Sequence, residues 1–207
     1  MGLLNYMALV KHNNNSISAV TSMASLTTGA MILISEQTAS GASTVSFTSG
    51  LDSTYPIYKF EFINYHANSD NPRPYIQAST NGGSSYGVTV TTTALRATHS
   101  ENDSQAQLEY STGQDKAQST DFFSISDLYM NDESDENQNG YIFLFNPSST
   151  TFVKHFIGNF NGMNNVETVH GLGAGYFNTT SAINAFQFKN SAGTIDGTFR
   201  LYGIKDS

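Results

Sequence analysis

Five histidines, seventeen acidic residues and nine basic ones are the groups through which this 207-residue chain could do acid–base or metal chemistry. Their spacing argues against both. His12, His66, His99, His155 and His170 lie far apart, without the His-x-His or His-Glu-x-x-His pairs that put two imidazoles on one ion. Only His155 and His170 fall in segments that strand pairing can bring side by side. The run Asp132-Glu133-Ser134-Asp135-Glu136 offers oxygen ligands for calcium, but the alternating Asp spacing is missing and Gly140 comes too late. It reads as a solvated loop. Glu61 with Glu109 or Glu167 supplies the two carboxylates of a glycosidase, yet the chain has no tryptophan for a sugar platform.

Nucleophiles fare no better. Cysteine is absent, which removes thiolate chemistry, disulfides and thiolate metal sites. A nucleophilic serine needs a strand-to-helix elbow, and the pattern described below has no place for one. Gly171-Leu172-Gly173-Ala174-Gly175 has the composition of a phosphate loop without the Lys-Ser/Thr or the following helix. Its expected role is a strand kept small where another backbone passes closely. No catalytic residue, metal or cofactor is expected. The tyrosines are more informative: Tyr65, Tyr75, Tyr86, Tyr110, Tyr129 and Tyr176 sit near turns, where a ring is half buried and its hydroxyl wet. Such rings suit the rim of a sandwich, a subunit interface or a sugar platform.

Elements to position these side chains follow from composition and period. Charged residues make up only 13% of the chain, and the formal charge is −8, so the phosphate backbone of a nucleic acid is a poor partner. No apolar run reaches the ~20 residues of a membrane-spanning helix. The N-terminus lacks a long apolar stretch after Lys11 and does not read as a signal peptide. From Met31 onward, short alternating stripes such as Tyr58, Phe60 and Phe62 recur between turn residues. Asn81-Gly82-Gly83 reads as a hairpin turn between Tyr75–Ser79 and Val88–Thr92, and Asn161-Gly162 as another strand break. The pattern predicts an all-β fold: an antiparallel two-sheet sandwich of jelly-roll type, with Phe60, Phe62, Phe143, Phe145, Phe186, Phe188, Phe199 and Leu201 turned inward.

Two units result. Residues 31–207 form the sandwich domain. Residues 1–30 form an extended N-terminal arm, too rich in Asn, Ser and Thr to build a core of its own. Its sparse apolar side chains Leu9, Ile17, Val20, Met23 and Leu26 are the expected docking contacts with a partner surface, which must offset the ordering entropy of the arm at ~1–2 kcal/mol per residue.

Several stretches resemble virion structural and appendage proteins of marine tailed phages. They are Met7–Lys11, Ser16–Ser22, Phe47–Tyr55, the turn Ser79–Tyr86 and the ending Gly197–Ile204. The resemblance implies a non-enzymatic protein of the virion surface, assembled in the host cytoplasm. It serves as a head decoration subunit or a tail-appendage component, with other capsid or tail proteins as partners. One short arm and one compact domain leave no shaft for a fibre, which favours decoration. A homo-oligomer, most simply a trimer, is expected on a symmetric particle. The alternative is a lectin-like module that binds host-surface glycans through rim tyrosines and Asn/Asp side chains.

Overall fold

A computed structural model describes residues 30–205 except 125, 126, 128, 130 and 131. The arm contacts Leu9, Ile17, Val20, Met23 and Leu26 lie outside the described residues, as does most of the stretch 124–130 in which one helical turn is conceivable. The described residues form eleven strands: β1 Met31–Ala42, β2 Val45–Phe47, β3 Ile57–Ala67, β4 Pro74–Ser79, β5 Val90–Ser100, β6 Ala106–Tyr110, β7 Gln138–Phe145, β8 Lys154–Asn164, β9 Glu167–Phe177, β10 Ala185–Asn190 and β11 Ile195–Ile204. One 3-10 turn, Thr112–Gln114, follows β6. None of the described helical elements is long and apolar enough to cross a membrane.

All pairings are antiparallel. Eight strands form one sheet in the order β1-β11-β3-β7-β8-β9-β5-β6, and β2-β10-β4 form a second. The two pack as a β-sandwich whose strands divide eight to three. Aromatic rings from facing strands hold the sheets together. Phe60 of β3 stacks on Phe186 of β10 with centroids 4.3 Å apart, and Phe47 and Phe188 close around them edge-on or tilted. Phe62 stacks on Phe160 and also meets Phe188 and Phe199. Such pairs contribute ~0.5–1.5 kcal/mol each beyond the burial of their area.

Chain segments join the sheets at both flanks. On one side β1 turns at Gly41 and re-enters the small sheet as β2. On the other, the segment after β6 runs along the free half of β5, with Thr92 N donating to Lys116 O and Val90 N to Ser119 O. It then pairs Phe123 with Ile76 on the free edge of β4. Gln77, fully buried, fixes that crossing: its amide donates to the carbonyls of Thr120 and Asp121, and its Oε1 accepts from Ala78 N. A buried amide with both ends partnered has its desolvation offset by those hydrogen bonds and specifies the route of the chain.

Three expectations are corrected. Asn81-Gly82-Gly83 does make a tight turn, with Gly82 and Gly83 at positive φ, but β4 and β5 then enter different sheets, so the turn is a corner and not a hairpin. Asn161-Gly162 lies inside β8, where Asn161 donates to Thr168 Oγ1 and Val169 O across the strand pair. The reversal falls at Asn165, which takes positive φ. In β7 the register is shifted by one: Ile142 and Leu144 are buried, while Phe143 and Phe145 stand on the opposite, outer face. A continuous apolar run has no polar residue to mark its outer side, so alternation alone does not choose.

Phe60→Ala should therefore cost ~3–5 kcal/mol in denaturant unfolding, and Phe143→Ala clearly less, ~1–2 kcal/mol, because its ring is only partly buried on the outer face. Equal losses from the two substitutions would put Phe143 in the inner layer.

Candidate functional site

Because β2, β10 and β4 cover only the inner side of the large sheet, its outer side carries side chains packed on no second layer among the described residues. Register fixes what stands there. Leu33 of β1 pairs with Tyr202, Tyr202 with Lys59, Lys59 with Phe143, Phe143 with Ile157, Ile157 with Ala174 and Ala174 with Thr93. One row further along the strands run Glu36, Arg200, Glu61, Tyr141, Asn159, Leu172, Leu95 and Tyr110, in the same way. On the other side lie Met31, Ile204, Ile57 and Phe145.

These rows collect the exposed apolar surface. Met31, Leu33, Leu95, Tyr110, Ile157 and Leu172 stand in them, and Leu108 stands beside them on β6. Phe152 and Val166, also exposed, are in loops. The half of the face formed by β8, β9, β5 and β6 holds a shallow depression of about 390 Å³ lined by Thr93, Leu95, Tyr110, Ile157, Leu172 and Ala174. The small residues of β9 shape it. On the inner side of the same strand, a Cβ on Gly175 would strike the Thr91 carbonyl and the Phe156 ring. The glycine-rich run is thus a strand over which a phenylalanine and a neighbouring backbone pass closely.

Charges on the outer face cluster at one end and neutralise each other. Lys59 Nζ lies 2.8 Å from Glu61 Oε1, and Arg200 lies 2.6 Å from Glu36 and 3.6 Å from Glu61. The Lys59 ammonium also sits over the rings of Tyr141 and Tyr202, 5.3 and 5.8 Å from their centroids. Burial opposes ionisation of Glu61, but the Lys59 hydrogen bond and charge outweigh it, helped by Tyr202 and Arg200, and hold its carboxyl below the ordinary value.

The six tyrosines are scattered over the fold. Tyr110 and Tyr176 stand on the outer face, Tyr110 54% exposed and hydrogen-bonded to Asp115, Tyr176 beside His155. Tyr65 is a correction: it is a core residue, not a rim residue, buried against Phe62 and Phe199. Its hydroxyl donates to Asn190 Oδ1 at 2.8 Å, and burial pushes its pKa far up. The β3 bulge at Asn64, with positive φ, turns Tyr65 inward and is invisible in a period-two reading. Tyr75 is half buried on β4, and Tyr86 packs near Phe122. Tyr129 hydrogen-bonds Arg73 and stacks beneath its guanidinium, beside Asp127, which Arg73, Arg96 and Gln114 hold together.

Among the described residues, no three His, Asp or Glu side chains converge on a point that could hold a metal ion. His155 and His170 share the outer face, but His155 pairs with Tyr176 while His170 pairs with Asn161 and bonds Asn159. In the acidic run, 132–135 are exposed, whereas Glu136 is buried and accepts from Asn165 N at the β8–β9 turn. That acid is a structural anchor that the run of like residues conceals. Gly83-Ser84-Ser85-Tyr86-Gly87 spells a Gly-x-Ser-x-Gly string, but it joins two strands, and Ser85 Oγ accepts from Asn81.

Glu61→Gln tests the charge cluster. A carboxyl with a depressed folded pKa adds stability above its unfolded pKa and loses it as pH falls through the folded value. The variant should be less stable than the parent at pH 7 by up to ~1 kcal/mol, since the pair is partly solvated. The difference should vanish as the pH drops below the ordinary glutamate range in denaturant titrations. Compared with known proteins, the chain matches no family model, no curated protein and no solved structure.

Proposed function

We infer that this protein is a non-enzymatic structural subunit of a tailed-phage virion, a head decoration protein in preference to a tail-appendage component. The outer face of the large sheet carries this reading. A subunit that works alone in water has no use for leucines, isoleucine and aromatic rings gathered on one exposed side, whereas an assembling subunit has. The stretches that resemble virion proteins supply the setting, and residues 1–30 supply the proposed tether to the particle. Among the described residues the core runs from Ala39 to Leu201.

A second reading, a lectin-like module, is favoured by one feature. A cleft of about 580 Å³ is lined by Thr80, Ser85, Tyr86, Thr89, Thr120 and Asn178, hydroxyls and an amide beside one ring. Glycan-array binding that Tyr86→Ala and Asn178→Ala abolish would favour it over the structural reading.

Two measurements test the structural reading. Quantitative mass spectrometry of purified particles should find the chain in many copies for decoration and in few for an appendage; its absence from particles would sink the proposal. Deleting residues 1–30 should leave a folded domain with a nearly unchanged melting temperature that no longer binds particles. Unfolding of the truncated chain would show the arm to be part of the domain, and normal particle binding would move the docking contacts to the sandwich.

A further inference from the structure

We propose that the outer face of the eight-stranded sheet docks a second copy of this chain. The proposal rests on the reading of the protein as an assembling subunit, and three observations choose the occupant. The first is charge. The chain carries −8, so two copies repel in general. The rows of the outer face, however, carry Lys59, Arg200, Glu36 and Glu61, two positive and two negative, each within 4 Å of an opposite partner, and Asp115 stands at the β6 margin, bonded to the Tyr110 hydroxyl. Two such faces meet with the charges of β1, β11 and β3 already paired, and most of the acidic excess of each molecule lies elsewhere.

Area is the second. Eight strands ~4.8 Å apart, of mean length near ten residues at ~3.3 Å each, present a face of roughly 1,000 Å². A stable interface needs ~800 Å² from each partner. The face is therefore sufficient without help from loops. Its composition divides into an apolar half on β8, β9, β5 and β6 and a charge-paired end on β1, β11 and β3.

Shape is the third. The depression is lined by Ile157, Leu172 and Tyr110, themselves about half exposed, so a recess and projecting apolar side chains stand on one surface. A surface that is its own complement suits contact between identical molecules. A membrane is a poorer occupant, because the two cations on this face are already held by carboxylates and leave nothing for anionic headgroups.

The test is the mass of the full-length protein in solution, with no particle present, by light scattering on a sizing column at tens of micromolar. The parent should elute as a multiple of 22.4 kDa. Ile157→Glu and Leu172→Glu should each shift the population to the 22.4 kDa monomer while keeping the parent far-UV spectrum and melting transition. Both sites are about half exposed, so the fold tolerates the change. Phe152→Glu, at an exposed apolar side chain off the face, should leave the oligomer intact. A monomeric parent overturns the proposal, and so do face variants that stay oligomeric. A monomer that instead co-floats with phosphatidylcholine vesicles overturns it in favour of a lipid surface. Failure here leaves the virion reading standing, because particle content is measured separately.

Discussion

The contact between Phe60 and Phe186 is the one on which the rest of the molecule depends. Phe60 belongs to the large sheet and Phe186 to the small one, and their stacking brings Phe47, Phe62, Phe188 and Phe199 into a single ring cluster. Without that seam, the three-stranded sheet has no reason to lie over the centre of the eight-stranded one. With it, three strands cover the middle of the inner side, and irregular chain must cover the remainder. The route after β6, pinned by Gln77 and then by Asp127 between Arg73 and Arg96, is the consequence. Among the described residues the outer side of the large sheet carries no second layer.

Low charge is the second constraint, and it works with the first. A sheet face open to water is ordinarily protected from sticking by interspersed lysines and glutamates. This chain has few of either, and on the outer face those present are matched in close pairs. The acidic excess lies elsewhere, in places such as the exposed run 132–135. Excess charge and exposed apolar surface thus occupy different parts of one small domain.

Much of the fold was legible from period-two stripes and turn residues. The strands, the all-β antiparallel sandwich and the inward placement of Phe60, Phe186, Phe188 and Phe199 all follow from alternation. What was illegible has physical causes. The run Tyr141–Phe145 is apolar on both faces, so its register depended on partners far along the chain. The bulge that turns Tyr65 inward inserts a residue that no periodicity announces. The outer face itself could not be read locally, since Leu33, Ile157, Leu172 and Tyr110 share a surface only through strand order. Single exposed leucines carry no message, while their arrival from five strands on one face does.

The position of β11 between β1 and β3 sets the order of events as the chain is made. Its final described strand is the one that joins the first strand to the third, so both wait with open edges until it arrives. β3 ends at Ala67 and β11 begins at Ile195, a gap of 195 − 67 = 128 residues. At ribosomal rates of ~5–20 residues per second that gap lasts roughly 6–26 s. During it, the edge of β3 that β11 will take is free to pair with another nascent chain. Pairings this remote in sequence also form slowly once the residues are present. The vulnerable moment of this protein is therefore its synthesis, when crowding on neighbouring ribosomes favours the wrong partner strand.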